Sequence, residues 1–150
     1  MPLQDLETLE ALLPHRRPML LLDRFVDGDH GEDGWARAEA RIHEAHPFYE
    51  ADRGVPSWAL IEVFAQTAAL IGGLQARQDG VPVPQGFLLG TRRFDCPVSH
   101  VPAGTDLVLE ARTAFRDSNG MGAYHCRTLN EDLALACVLT VYAPPRGMNP

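Results

Sequence analysis

The chain has 150 residues, 20 of them acidic and 13 basic, for a formal net charge of -7; 45% of its side chains are hydrophobic and 22% charged. That is enough for one soluble domain, residues 1–150, with one sizeable core. The acidity and the absence of a basic stripe argue against nucleic-acid binding, which needs clustered cations. Cys96, Cys126 and Cys137 are odd in number and have no C-x-x-C spacing, so they predict reduced, mostly buried thiols in a cytoplasmic protein rather than a disulfide framework or a zinc site.

Residues 3–13 carry apolar side chains at 3, 6, 9, 12 and 13, the spacing of a short amphipathic helix that Pro14 ends. The polar, acidic start of the chain does not read as a secretory signal. Met19 to Val26 reads as a buried strand and Asp27 to Gly34 as a turn; Trp35 to Ile42 alternates apolar and charged residues, a strand with one wet face. Residues 43–56, H-E-A-H-P-F-Y-E-A-D-R-G-V-P, read as an irregular loop.

The run Val55 to Arg77 is nearly all apolar, and Pro56 sits at its first turn, where a helix tolerates proline. It is long enough to cross a bilayer. Glu62 and Gln66 near its middle, and the Gly72-Gly73 interruption, argue instead for a helix buried in a soluble core. A spacing of four puts Glu62 and Gln66 on one face. A carboxylate there is costly unless it is used or paired. Either burial favours its neutral form and fits it to acid chemistry, or it is structural and paired with Arg92 or Arg93.

A loop over 77–85 follows. Strands are expected over Gly86–Phe94, Leu107–Phe115, Met121–Leu129 and Leu133–Tyr142, with a D-S-N-G hairpin turn at 117–120 and a frayed tail over 143–150. The fold class is therefore α+β: a short N-terminal helix, two strands, one long apolar helix, then four strands whose short connections favour antiparallel pairing.

Three stretches resemble the hot-dog-fold 3-hydroxyacyl-[acyl-carrier-protein] dehydratases of bacterial fatty-acid synthesis: L-P-H-R-R-P-M-L-L-L-D-R at 13–24, V-P-S-W-A-L-I-E-V-F-A-Q-T-A at 55–68, and the looser F-D-C-P-V-S-H-V-P-A-G-T-D-L at 94–107. The resemblance implies an antiparallel sheet wrapped around a central helix, edge-to-edge dimers, and a site at the dimer interface where a histidine from one subunit faces an acid from the other. Glu62, six residues after Pro56, falls on the family's acid, and Gln66 on the glutamine that follows it. Ser57 stands where a glycine N–H binds the substrate carbonyl, and Trp58 and Tyr49 flank the implied pocket. The family's Phe-Pro-Gly after its histidine is absent; Phe48 occupies the matching position, so His46, or less directly His43, is the imidazole available. His46 also fits a solvated loop histidine, and His15 fits a packing or turn role.

The implied activity is elimination of water from a 3-hydroxyacyl thioester to give a 2-enoyl thioester, with Glu62 as acid and His46 as base, in fatty-acid or specialised lipid and polyene synthesis. It needs no metal and no organic cofactor. The implied partners are an acyl carrier protein or coenzyme A thioester and a second hot-dog subunit, identical or different. Arg16, Arg17, Arg77, Arg92 and Arg93 are candidates for an electropositive rim that would steer an acidic carrier protein. Two other readings are a hot-dog thioesterase using Glu62 to activate water and a catalytically silent acyl-binding subunit.

Overall fold

The computed structural model describes residues 3–145. Helix α1 spans Leu3–Leu12. Strands β1 (Arg24–Asp29) and β2 (Trp35–Arg41) follow, then the two-residue strand β3 (Val55–Pro56), a 3-10 turn (Ser57–Ala59) and helix α2 (Leu60–Asp79). Strands β4 (Phe87–Asp95), β5 (His100–Val101), β6 (Asp106–Arg116), β7 (Met121–Thr128) and β8 (Ala136–Tyr142) complete the chain.

Six strands form one antiparallel sheet in the order β1-β2-β6-β7-β8-β4. The register is continuous through its centre, with Ala36, Ala38 and Ala40 of β2 opposite Ala111, Leu109 and Leu107 of β6. These small and branched side chains are fully or almost fully buried. They leave room on the concave face for α2, which packs against β1, β2, β6 and β7. One helix inside one curled sheet is the expected hot-dog arrangement. It explains why α2 is apolar on most sides: Leu60, Val63, Phe64, Leu70 and Ile71 have no exposed surface. Ser57–Asp79 is long and apolar enough to cross a membrane by length and composition, but most of it is buried inside this sheet.

The ends of α2 follow local chemistry. Gly80 takes a left-handed conformation, φ 65°, and its N–H caps the carbonyls of Ala76 and Arg77. Gly73 has a different task. A Cβ there would lie 2.0 Å from the carbonyl oxygen of Leu12, so its missing side chain lets the end of α1 sit directly on α2.

Three expectations shift. The stretch read as a strand from Met19 is irregular until Arg24: Gln66 takes the Met19 carbonyl and the Leu21 N–H, the Leu20 N–H turns back to the Arg16 carbonyl, and the neighbouring strand is reached only by the Asp23 N–H, at Glu39. The short pair β3–β5 was not legible: Val55 pairs with Val101 and Pro56 with His100. The last strand begins at Ala136 rather than Leu133. Of the tail, residues 146–150 lie outside the described part; the Ala143 N–H still donates to the Gly120 carbonyl at 2.9 Å. Cys126 and Cys137 are buried free thiols facing one another across β7 and β8.

The close approach at Gly73 makes a checkable difference between adjacent glycines. Gly73→Ala is expected to lower unfolding free energy in urea by about 1–3 kcal/mol through overpacking. Gly72→Ala, whose Cβ meets only Pro84 at 3.5 Å, is expected to be neutral or stabilising by about 0.5–1 kcal/mol, the usual gain over glycine in a helix.

Candidate active site

Gln66 organises the site. It is completely buried on α2, and its amide is paired at both ends. Its Oε1 accepts from the Leu21 N–H at 2.8 Å; its Nε2 donates to the Met19 carbonyl at 2.7 Å and to Glu62 Oε1 at 3.3 Å. The backbone partners fix which way the amide points, since an N–H can face only the oxygen and a carbonyl only the nitrogen. The irregular segment before β1 is thereby pinned to α2, and one oxygen of Glu62 is held by a donor.

The rest of that segment is held by arginines. Arg16 Nη1 donates to the carbonyls of Leu13 and His15 at 2.9 and 2.8 Å, and its Nε pairs with Glu10 at 3.0 Å. Arg17 donates to the carbonyls of Leu20 and Leu22 and pairs with Asp23. Arg93 pairs with Asp95. Arg16 and Arg17 therefore serve the loop itself, which weakens their assignment to a steering rim.

This stapled loop delivers His15 to Glu62. Nε2 of His15 lies 3.8 Å from Glu62 Oε1, with the two side chains 28% and 33% exposed. Glu62 is thus neither fully enclosed nor paired with Arg92 or Arg93. Both side chains line one cavity of about 140 Å³. One wall is the open stripe of α2, Glu62, Ala65, Ala69 and Gly72. The other is Leu88 of β4, Arg116 of β6, Tyr124 of β7 and Val141 of β8. Small residues three, seven and ten positions after Glu62 keep a track open along the helix for about 15 Å at 1.5 Å per residue. Burial holds the Tyr124 phenol above the ordinary range, more than the Arg116 charge lowers it.

His46 is elsewhere. It lies in a larger, charged cleft of about 810 Å³ with Arg17, Leu20, Leu21, Asp23 and His43, on the far side of the 18–23 segment. Its ring is 6% exposed. Its Nδ1 accepts from the Phe48 N–H at 3.2 Å, and its Nε2 is buried without a partner. Within one chain, Glu62 and His46 do not meet. Ser57 also departs from expectation: its N–H is already given to the Ser99 carbonyl at 2.9 Å, beside the β3–β5 pair. Pro56 is buried in β3 and has no N–H to offer. Trp58 is 60% exposed at the start of α2, with its ring edge-on to Phe48 at 5.9 Å; it faces outward rather than filling a core. The residue that sequence reasoning undervalued is His15, although it stands in the most specific of the three quoted stretches.

No group of three or more His, Cys, Asp or Glu side chains among the described residues is arranged to hold a metal ion.

A sheet curled round one apolar helix, with a carboxylate opening into a largely apolar groove, defines a hot-dog protein. The chain belongs to the ApeP-like dehydratase family, whose model matches residues 7–149. It is 32% identical over 124 residues to the 3-hydroxyacyl-[acyl-carrier-protein] dehydratase FabZ of Brucella ovis, covering 81% of this chain and 76% of that one. The corresponding FabZ of Bartonella henselae is 29% identical over the same length. Among solved structures, the dehydratase heterocomplex ApeI:P from Xenorhabdus doucetiae superposes with a TM-score of 0.80 at 22% identity, covering 92% of this chain and 91% of that one. The thioesterase HI1161 from Haemophilus influenzae shares the fold at a TM-score of 0.54 and 12% identity.

Two outcomes follow from these contacts. Replacing Gln66 by Leu would leave the Leu21 N–H and the Met19 carbonyl unpaired in the interior, so a loss of about 2–4 kcal/mol in urea unfolding is expected. His15 and His46 are both held below 6.5, chiefly by burial; the Glu62 charge opposes this at His15, and at His46 the His43 charge adds to it while Asp23 opposes. The unfolded chain therefore takes up protons first as pH falls. The melting temperature should be steady above pH 7 and decline as the pH drops below about 6.5, as a series of thermal melts would show.

Proposed function

We propose that this protein acts as a 3-hydroxyacyl-thioester dehydratase on carrier-protein-bound acyl chains, with Glu62 as the acid. The observation that carries this reading is the Glu62 carboxyl, steadied by Gln66, at the polar end of an otherwise largely apolar groove in a chain of a dehydratase family. In the reaction a base takes a proton from carbon 2 and the electrons of that C–H bond become the C2–C3 double bond. The C3–O bond breaks, and the Glu62 carboxyl protonates the departing hydroxyl, which leaves as water. The groove along Ala65, Ala69 and Gly72 suits the acyl tail. With the Ser57 N–H spent, the thioester oxygen is left to the next N–H of the helix start, that of Trp58, which precedes the first bond of the 3-10 turn and lies at the positive end of the dipole.

The base is an imidazole brought by a partner subunit. The resemblance puts it at His46 of a second copy. The burial of His46 Nε2 and the Phe48 at the family spacing favour a different hot-dog chain as the donor instead. The ApeI:P heterocomplex supports that assembly by analogy. The surface supports a partner too: β4 is an edge strand of the sheet, and Phe87, Leu88 and Leu89 on it are 41%, 39% and 57% exposed, an apolar edge that pairing with another subunit would cover. Such an enzyme works in the cytoplasm, where acyl carrier proteins are loaded.

Purified protein, alone and mixed with a second hot-dog dehydratase chain, would be given a 3-hydroxyacyl carrier-protein thioester and the 2-enoyl product followed by mass spectrometry. Turnover is expected, and Glu62→Gln should reduce it by roughly 10²–10⁴-fold. Release of free thiol in place of enoyl product would make the protein a thioesterase, and equal activity of wild type and Glu62→Gln would remove the acid from Glu62.

A further inference from the structure

We propose that Arg37, Arg112 and Arg127 form a binding site for a small phosphate-bearing anion on the outer face of the sheet, away from α2 and its groove. Side chains alternate between the two faces along a strand. Leu107, Leu109 and Ala111 of β6 are buried in the core against α2, so Glu110 and Arg112 stand on the other face. Glu110 is opposite Arg37 of β2 and Arg127 of β7, and Arg112 is opposite Trp35 and His125. The carboxylate lies under its three partners. Its side chain is 1% exposed, against 40%, 50% and 59% for Arg37, Arg112 and Arg127.

The buried carboxylate holds the three cations by one edge each. Arg37 gives its Nε to Oε2 at 2.9 Å, and Arg112 and Arg127 give theirs to Oε1 at 3.1 Å. Arg112 adds a long contact from Nη2 to Oε2 at 3.5 Å. A guanidinium has five N–H donors in a planar fork, so most of them are unspent. Among the described residues, no acceptor takes a hydrogen bond from the Nη groups of Arg37 or Arg127, or from Nη1 of Arg112. The Trp35 ring lies 5.1 Å from the Arg37 guanidinium carbon and 5.5 Å from that of Arg112, a second hold on two of the three groups. Forks that are anchored yet unspent are what bidentate recognition of phosphate oxygens uses.

Charge and space select the ligand. Three guanidiniums against one carboxylate leave two positive charges uncompensated, in a chain whose net charge is -7. A second copy presenting the same patch would be repelled. An apolar ligand would bury these charges without a partner. A dianion balances them. Beside the cluster is a cavity of about 350 Å³ lined by Arg93, Asp95, Glu110, Arg112, His125 and Arg127, at the small end of small-molecule sites. Arg93 and Asp95 pair with each other at 3.3 Å and add no net charge. A phosphate or diphosphate group matches both the charge and the size. Neither Glu62 nor dehydration enters into this site.

Isothermal titration of the full chain with inorganic phosphate, pyrophosphate and ADP, at low ionic strength, tests it. Saturable one-to-one binding is expected, tighter for pyrophosphate than for phosphate, and weaker in about 0.15 M salt. Equal affinity for pyrophosphate and ADP would make the bare diphosphate the ligand; tighter binding of ADP would make it a nucleotide. Arg127→Gln should weaken pyrophosphate binding roughly 10-fold, the worth of one charge-assisted hydrogen bond. Arg127→Lys keeps the charge but loses the fork and should weaken it nearly as much. Arg77→Gln removes the same charge from α2 and should leave binding unchanged. No saturable binding by the wild type, wild-type affinity in Arg127→Lys, or an equal loss in Arg77→Gln would each overturn the proposal. A second measurement needs no variant: in NMR spectra of the arginine side chains, pyrophosphate should shift the N–H signals of Arg37, Arg112 and Arg127 and leave Arg77 in place. Shifts that miss these three would end it.

Discussion

The Gln66 amide is the tie on which the site depends. A helix buried inside a sheet has no surface on which to hold a loop by chance contacts, and the segment before β1 meets the neighbouring strand only at its end, where the Asp23 N–H reaches the Glu39 carbonyl. Gln66 answers both conditions at once, donating to Met19 and accepting from Leu21. Because the same nitrogen reaches Glu62, the tie that fixes the loop also fixes the carboxyl. His15 arrives at Glu62 because the chain between α1 and β1 is held at Gln66 on one side and by Arg16 and Arg17 on the other.

Glu110 and Glu62 are held by different kinds of partner. Glu110 of β6 is 1% exposed and lies among Arg37, Arg112 and Arg127, each within 3.1 Å. Burial alone would raise it, but the hydrogen bonds from the three guanidiniums outweigh that and hold it below the ordinary carboxylate range. Trp35 lies under two of the same cations. Among the described residues, no guanidinium pairs with Glu62. Its neighbours are an amide and an imidazole, and it opens to a cavity.

Much of this was legible in the chain. The alternation at Trp35–Ile42 and the turn at 117–120 are local patterns that became the elements they suggested; the apolar run expected to be helical from Val55 became a helix only from Leu60, because Val55 and Pro56 pair with β5 and a 3-10 turn follows. Glu62 stood out because a carboxylate in an apolar helix demands a reason. The assignments that shifted depend on contacts between distant segments. The Ser57 N–H is spent on Ser99, 42 positions away, because β3 pairs with β5. His46 turns into its own cleft, where the Phe48 N–H holds its Nδ1. The pairing of His15 with Glu62 spans 47 positions, and no spacing rule reports it; only the specificity of the L-P-H-R-R-P stretch hinted at more than a turn.

The sequence by itself determined the α+β class, the single central helix and the carboxylate on it that calls for a reason, because hydrophobic periodicity and the cost of burying a charge are properties of short stretches. The tertiary structure decided which imidazole faces that carboxyl, which backbone donors are already used and where the apolar groove runs. Those are matters of 3 or 4 Å between residues far apart in the chain, and only the packing of loop, helix and sheet against one another sets distances on that scale.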